Sequence, residues 1–221
     1  MIGIVAALPR EVAVLVRGVN ADKALLSRGI SLYRLERAVV VAAGMGASRV
    51  TVALQAALAA GPVKMLVSTG LAGACSAELK AGDVAEARLV VDTRTGERFA
   101  TADRGVVLAT SDAIASVADK ARLAASYGAA MVDMEAATVA RLAVAYRVGV
   151  RVIKGISDAH DFELESLKQF ATERGEFRTG AFALHTALRP GTWGKAMELG
   201  RGSSRALAGL AETLRVVIEE S

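Results

Sequence analysis

The chain has 221 residues, 53% of them hydrophobic but only 4% aromatic, with 21 Gly, 3 Pro and a formal net charge of +4. That is enough chain for one sizeable domain with a full core, and the composition excludes a disordered protein or a Pro-rich linker. A single cysteine, Cys75, excludes an internal disulfide framework, and a dispersed positive charge with so few aromatic residues speaks against a nucleic-acid surface.

In chain order, Ile2–Leu8 reads as a first strand, because its apolar run is too short to span a bilayer and no positively charged region precedes it. Pro9 suits the first turn of a helix that continues to Arg17. Ser31–Glu36 and Ala38–Ala43 are predicted as two strands around a tight turn. Gly44-Met-Gly46 breaks the pattern, and a helix follows from Ser48 to Ala60, closed by Gly61-Pro62. Val63–Ser68 reads as a buried strand, Thr69-Gly-Leu-Ala-Gly73 as a Gly-rich turn, Leu79-Lys-Ala-Gly-Asp83 as a second turn and Val84–Val91 as a strand. The polar stretch Asp92–Arg104 is expected to be a loop before a strand at Gly105–Ile114. Ser116-Val-Ala-Asp119 opens a helix in the manner of a capping box, and that helix ends near Gly128.

A short strand to Val132, a helix over Glu135–Arg147 and a strand over Val150–Ile156 come next. The tail carries helices at about 164–174, 179–188 and 203–219. Alternating strands and helices make this an α/β chain. With no repeat, low-complexity tract or linker, one domain over residues 1–221 is expected. Charges or turn residues interrupt every apolar run, so no integral membrane segment is expected and the cytoplasm is the default location.

Chemistry concentrates at the predicted strand ends. In a mostly parallel sheet these ends share one edge, where such folds bind ligands. They carry Pro9-Arg10-Glu11, Gly44-Met45-Gly46, Thr69-Gly70, Asp133-Met134-Glu135 and Ser157-Asp158. A right-handed crossover between the last two strands is expected to keep Glu135 and Asp158 on the same edge. Glu135 at a helix N-terminus is favoured as an ionised carboxylate, able to accept both hydrogen bonds of a vicinal diol. Structurally, Asp133 and Glu135 also read as an N-cap and a first-turn acid.

Asp158 sits in Ser157-Asp158-Ala159-His160-Asp161, where a second acid and a His raise the prospect of a carboxyl that keeps its proton. An Asx turn after a strand explains the same residues. Gly44-Met-Gly46 exposes backbone N–H groups to an anion or serves as a steric turn. It opens a dinucleotide fingerprint that fails, since Arg49 stands at the third glycine position and no acid ends the next strand. Two His and one Cys leave little for a transition-metal site, His185 reads as structural, and Cys75 as a small packed residue.

Together these motifs resemble the nucleoside phosphorylase and nucleosidase superfamily, especially the 5'-methylthioadenosine/S-adenosylhomocysteine nucleosidases. The resemblance rests on Ile2-Gly-Ile-Val-Ala-Ala-Leu-Pro-Arg-Glu11, Ala43-Gly-Met-Gly46, Ser68-Thr-Gly-Leu-Ala-Gly73, Leu79-Lys-Ala-Gly-Asp-Val84, Val132-Asp-Met-Glu-Ala-Ala137 and Ile156-Ser-Asp158, in that order. It implies a three-layer αβα sandwich with a mixed central sheet that cleaves N-glycosidic bonds of purine nucleosides, with no metal or organic cofactor and as a homodimer.

By that resemblance Asp158 donates to N7 of the base, Glu135 holds the ribose hydroxyls, Met134 packs on the sugar and Glu11 activates water. Thr69, Gly70, Leu71, Ile114, Ala115 and Ser157 complete the substrate site, and Gly44, Gly46 and Arg49 are the candidates for a phosphate or water site. Leu71 stands where the nucleosidases usually have a serine, and Ile114 where they have an aromatic ring. These changes bring the chain closer to the hopanoid-associated phosphorylases. Water and phosphate both remain candidates as the nucleophile, and a non-catalytic nucleoside-binding protein is the alternative from another class.

Overall fold

The computed structural model describes residues 1–163 and 193–221, so the tail helices expected at 164–174 and 179–188 lie outside it. The described strands are β1 (Ile2–Ala6), β2 (Ser31–Arg34), β3 (Ala38–Ala42), β4 (Met65–Ser68), β5 (Leu71–Ala74), β6 (Val84–Asp92), β7 (Arg98–Ala100), β8 (Val106–Thr110), β9 (Met131–Asp133) and β10 (Gly149–Asp158). The helices are α1 (Pro9–Val12), α2 (Lys23–Leu26), α3 (Ala47–Ala59), α4 (Val117–Tyr127), α5 (Ala136–Tyr146) and α6 (Trp193–Glu219). The strands form one mixed sheet in the order β2-β3-β1-β4-β10-β5-β9-β8-β6-β7.

Strand alternation sorts the core into two layers. Ile2, Ile4 and Ala6 of β1 and Ala38, Val40 and Ala42 of β3 face α1 and α6, meeting Val12, Leu210 and Leu214. Val5, Val39 and Val41 face the other way, onto Val50 and Leu54 of α3 and Val139 of α5. Helices therefore cover both faces, as strands apolar on both sides require. On α6, Ala206, Leu210, Leu214 and Val217 are buried at helical spacing, a stripe that lies along β10.

Half of the sheet is a regular parallel array, with β1, β3, β4 and the first part of β10 all parallel. The other half curls. β10 is long enough to pair with β4 through Gly149–Val152, with β6 through Ile153–Gly155 and with β5 through Gly155–Asp158. The strands β10, β5, β9, β8 and β6 thus close a ring.

This topology corrects three expectations. The Thr69–Gly73 segment is not a turn but a kink. The chain passes from β4 to β5 and continues beside β10, with Gly155 N–H bonded to Gly70 O at 3.0 Å. Gly70 has φ +114, and a Cβ there would lie 2.8 Å from a Glu11 oxygen, so a glycine makes the kink. Second, β9 and β10 are not neighbours in a parallel crossover: β5 lies between them, parallel to β10 and antiparallel to β9. Asp133 and Glu135 reach the cavity because β9 runs back toward the start of β5, beside the Gly70 kink.

Third, the polar stretch after β6 contains β7, paired antiparallel with β6. Its turn is held by Asp92, whose Oδ1 accepts from Arg94 N–H and Thr95 N–H. The local signals held better. Ser116 and Asp119 form a reciprocal capping box, and Gly128 ends α4 in the left-handed conformation.

Leu210→Ala should cost roughly 2–5 kcal/mol of stability, because it opens a cavity between α6 and the sheet. Urea denaturation followed by circular dichroism measures this. A change below about 1 kcal/mol would show that α6 is not packed as described.

Candidate active site

The ends of β1, β4, β9 and β10 surround a cavity of about 440 Å³ lined by Glu11, Asp133, Glu135 and Asp158, with Leu8, Met45, Leu71, Ile114 and Met134 among the apolar walls. Four carboxylates lie in its lining, and each is at most 8% exposed.

Glu11 lies in α1, where Pro9 starts the helix. Its Oε2 accepts from Ala7 N–H at 3.1 Å and Leu8 N–H at 2.9 Å, and its Oε1 accepts from Leu71 N–H at 3.1 Å. A carboxylate offers about four acceptor positions, so about one remains for a ligand. The Gly70 kink turns the Leu71 N–H toward Glu11, so β1 and β4 are joined through this side chain.

Glu135 is the N-cap residue of α5, but its side chain does not cap that helix. Its Oε1 accepts from Gly46 N–H at 2.8 Å, and Asp133 takes the helix end by accepting from Ala136 N–H at 2.9 Å. Thr110 donates to Asp133 at 2.8 Å and accepts from Ala137 N–H at 3.0 Å. Beneath them Lys154, 1% exposed, donates to Thr69 O at 3.0 Å and lies 2.9 Å from Asp133 Oδ2.

Burial lowers Lys154 most, yet the charges of Asp133 and Glu135 together carry its pKa above the ordinary value. Burial and then the Asp133 charge push Glu135 up to about 7, against the pull of Lys154 and the Gly46 N–H. The sequence expectation of a fully ionised Glu135 is corrected by these surroundings: desolvation outweighs the helix N-terminus.

Asp158 is 2% exposed. Lys120, 1% exposed on α4, donates to its Oδ2 at 2.5 Å, and Ser157 Oγ bonds to its Oδ1. Burial raises the Asp158 pKa, opposed by the charge and hydrogen bond of Lys120 and by Ser157. The expected cause was the neighbouring acid and His. Instead His160 and Asp161 are exposed and sit 4.0 Å from each other. Cys75 is buried, and burial pushes its thiol up to about 12, which fits a packed side chain.

Of the residues singled out in the sequence, Glu11, Leu71, Ile114, Ala115, Met134, Glu135, Ser157 and Asp158 line the cavity. Thr69 lies beneath it, buried and tied to Lys154 through its carbonyl, and Gly70 makes the kink. At the expected anion site, Gly44, Gly46 and Arg49 all make contacts within the protein. Gly46 N–H serves Glu135 and Gly44 N–H serves Ala7 O, while Arg49 donates to the carbonyls of Ala43 and Gly29.

Sequence reasoning missed Lys120 and Lys154, and it missed the wall that α6 adds through Leu199, Ser203, Ser204 and Leu207. Lys154 left a signal: with Arg151 it is one of two charges in the otherwise apolar stretch Val150–Ile156, and a buried strand accepts such a charge only with a partner. Among the described residues no cluster of three or more His, Cys, Asp or Glu side chains is placed to hold a metal ion.

A family model described as "Phosphorylase superfamily" matches residues 1–100 and 85–185. No curated protein matches the sequence significantly. Among solved structures, the native futalosine hydrolase of Helicobacter pylori strain 26695 is similar with TM-score 0.73 at 18% identity, over 100% of this chain and 97% of that one. A 5'-methylthioadenosine/S-adenosylhomocysteine nucleosidase from Helicobacter pylori, bound to butyl-thio-DADMe-Immucillin-A, is similar with TM-score 0.72 at 18% identity, over 100% and 98%. The 5'-methylthioadenosine nucleosidase of Arabidopsis thaliana, in apo form, is similar with TM-score 0.72 at 18% identity, over 99% and 94%. At this identity the likeness establishes a shared fold.

The raised Glu135 pKa has a consequence for stability. The folded chain binds a proton at Glu135 more tightly than the unfolded chain, so stability falls as pH rises from about 4.5 to about 7 and then levels. Glu135→Gln should remove that penalty and be more stable than the parent by roughly 1–3 kcal/mol at pH 8, with little difference at pH 4.5. Denaturation at both pH values measures it, and an equal effect at the two would refute the assignment.

Proposed function

The chain belongs to the phosphorylase superfamily, and from that premise we propose that it cleaves the N-glycosidic bond of a purine nucleoside, a 5'-modified adenosine such as methylthioadenosine or adenosylhomocysteine being the first candidate. The observation that carries this reading is the convergence of Glu11, Glu135 and Asp158 on one cavity in three different electrostatic settings. Sites that divide acid and base work among carboxylates are built this way.

In the proposed reaction the bond from the sugar to N9 breaks with its electron pair passing to the base. Asp158 gives a proton to N7, the Oδ–H bond breaking as N–H forms. Glu135, ionised, accepts from the ribose hydroxyls and faces the positive charge that develops on the sugar. Glu11 uses its remaining acceptor position to take a proton from the attacking water. Water is favoured over phosphate because the N–H groups of Gly44 and Gly46 are engaged within the protein and Glu11 keeps an acceptor position for a water proton. Leu71 and Ile114 give the walls an apolar character that favours the uncharged 5' substituent of methylthioadenosine over the charged one of adenosylhomocysteine. The same reading carries a homodimer in the cytoplasm, and sedimentation would give its mass.

Incubation with methylthioadenosine, adenosylhomocysteine, adenosine, inosine and futalosine, with and without phosphate, should release free base from at least one of them. No base under any condition would overturn the reading. Free ribose as the sugar product assigns hydrolysis, and ribose 1-phosphate formed only with phosphate assigns phosphorolysis. Asp158→Asn and Glu11→Gln should each lower kcat by roughly 100-fold or more.

The pH profile gives a second test. Glu135 must be ionised to hold the ribose, so kcat/KM should decline as pH falls below about 7. That limb should be absent from the residual activity of Glu135→Gln. Its persistence there would assign the limb to another group.

A further inference from the structure

Lys120 has no place in the reaction as written, yet it touches the acid at its centre. Its Nζ donates to Asp158 Oδ2 at 2.5 Å, to Ala159 O at 2.8 Å and to Phe162 O at 3.0 Å, which uses all three protons of an ammonium. Both partners of the ion pair are 1% exposed at the side chain. A Lys on a helix ordinarily extends into water. This one turns inward from α4, at a desolvation cost that only a close partner offsets. The site leaves room for it: a Cβ at Gly73 would lie 3.0 Å from Asp158 Oδ2 and 3.3 Å from Lys120 Cε.

The geometry points to Lys120 as the positioning residue of the base-side acid: it pins Oδ2 of Asp158, leaves Oδ1 with Ser157 to meet the ligand, and stabilises the carboxylate formed when Asp158 gives up its proton. The proposal rests on the nucleoside-cleaving reading for the identity of the proton acceptor. The step balances. The proton leaves Asp158 for N7 of the departing base, the electron pair of the broken glycosidic bond goes to that base, and the new carboxylate is paired with the Lys120 ammonium. Burial raises the affinity of Asp158 for a proton, and Lys120 works against burial to ease its release.

Among the described residues, the titratable groups facing Asp158 are Lys120 from α4 and Cys75 after β5, and the Cys75 thiol stays neutral. Arg10, Glu11, Asp133 and Glu135 also line the cavity, and the described α6 residues in its wall include no ionisable group.

The test uses two variants and two substrates. Lys120→Gln keeps hydrogen-bond donors without the charge, and Lys120→Met removes both. One substrate is a purine nucleoside, whose base needs a proton to leave. The other is 4-nitrophenyl riboside, whose leaving group departs as a stable anion. Both variants should lose about tenfold or more on the purine nucleoside and less than about twofold on the nitrophenyl riboside, the scale expected when an acid is mistuned by a pKa unit or more. Full purine activity in Lys120→Gln, or an equal loss on both substrates in a folded variant, would overturn the proposal.

A readout independent of turnover is the infrared carbonyl band of the Asp158 carboxylic acid, assigned by its loss in Asp158→Asn. In Lys120→Gln that band should persist to higher pH than in the parent, and an unchanged titration would refute the charge role. If the parent cleaves no nucleoside, the functional reading fails while the band still decides the Lys120–Asp158 coupling. If Lys120→Met does not fold, Lys120→Gln carries the test.

Discussion

Four buried carboxylates line one cavity, with the Lys120 ammonium in its wall and the Lys154 ammonium beneath it, and the site is arranged around that imbalance. Glu11, Asp133, Glu135 and Asp158 are all at most 8% exposed, as are Lys120 and Lys154. Counted as ions, the four buried acids exceed the two buried lysines by two negative charges, and Arg10, exposed at the rim, is a further cation in the lining. Out of water such an excess is not tolerated as free charge. Each acid therefore has its own solution: Asp133 takes Lys154, Asp158 takes Lys120, Glu11 takes three backbone N–H groups, and Glu135 takes a proton near neutrality. The last is the least settled of the four, so Glu135 is the group whose state a ligand shifts most easily.

Those solutions demand the topology. Glu11 reaches three N–H donors only because Gly70 kinks the chain between β4 and β5 and presents the Leu71 N–H. Lys154 reaches Asp133 only because β10 is long enough to leave the parallel half of the sheet and enter the ring. The ring brings the end of β9 back beside the kink, so Glu135 and Asp158 face one cavity without their strands being parallel neighbours. Glu11, Lys154 and the Gly70 kink consequently behave as one unit, and replacing any one of them should be felt at the other two.

What the sequence revealed follows the range of each interaction. The capping box at Ser116 and Asp119, the left-handed Gly128 and the strand–helix alternation are local, and they were legible. Motif resemblance placed Glu11, Glu135 and Asp158 together, although the crossover argued for the last two was the wrong reason. Lys120 was not legible, because its helix segment Val-Ala-Asp-Lys-Ala-Arg reads as a solvated face and its partner lies 38 positions away. Arg49 shows the complementary case. A basic residue after Gly-Met-Gly suggests an anion, but two backbone carbonyls hold it at distances no sequence pattern records. The raised pKa of Glu135 likewise arises from desolvation, a property of the assembled cavity and not of the helix end at which it sits.

The charge excess also indicates which chemistry suits the cavity. Breaking a glycosidic bond builds positive charge on the sugar and negative charge on the base, and a site serving both must be negative on one side and acidic on the other. The Glu11–Glu135 side has the surplus of carboxylate. The Asp158 side has a carboxyl whose proton affinity is raised by burial and lowered again by Lys120. A nucleoside bound in the opposite orientation would set its developing sugar charge beside an ammonium and its base beside two carboxylates. For the proposed reaction, electrostatics thus favour one direction of binding before any shape is considered. Leu71, Ile114 and the α6 wall are left to determine which substituents the sugar and base can carry.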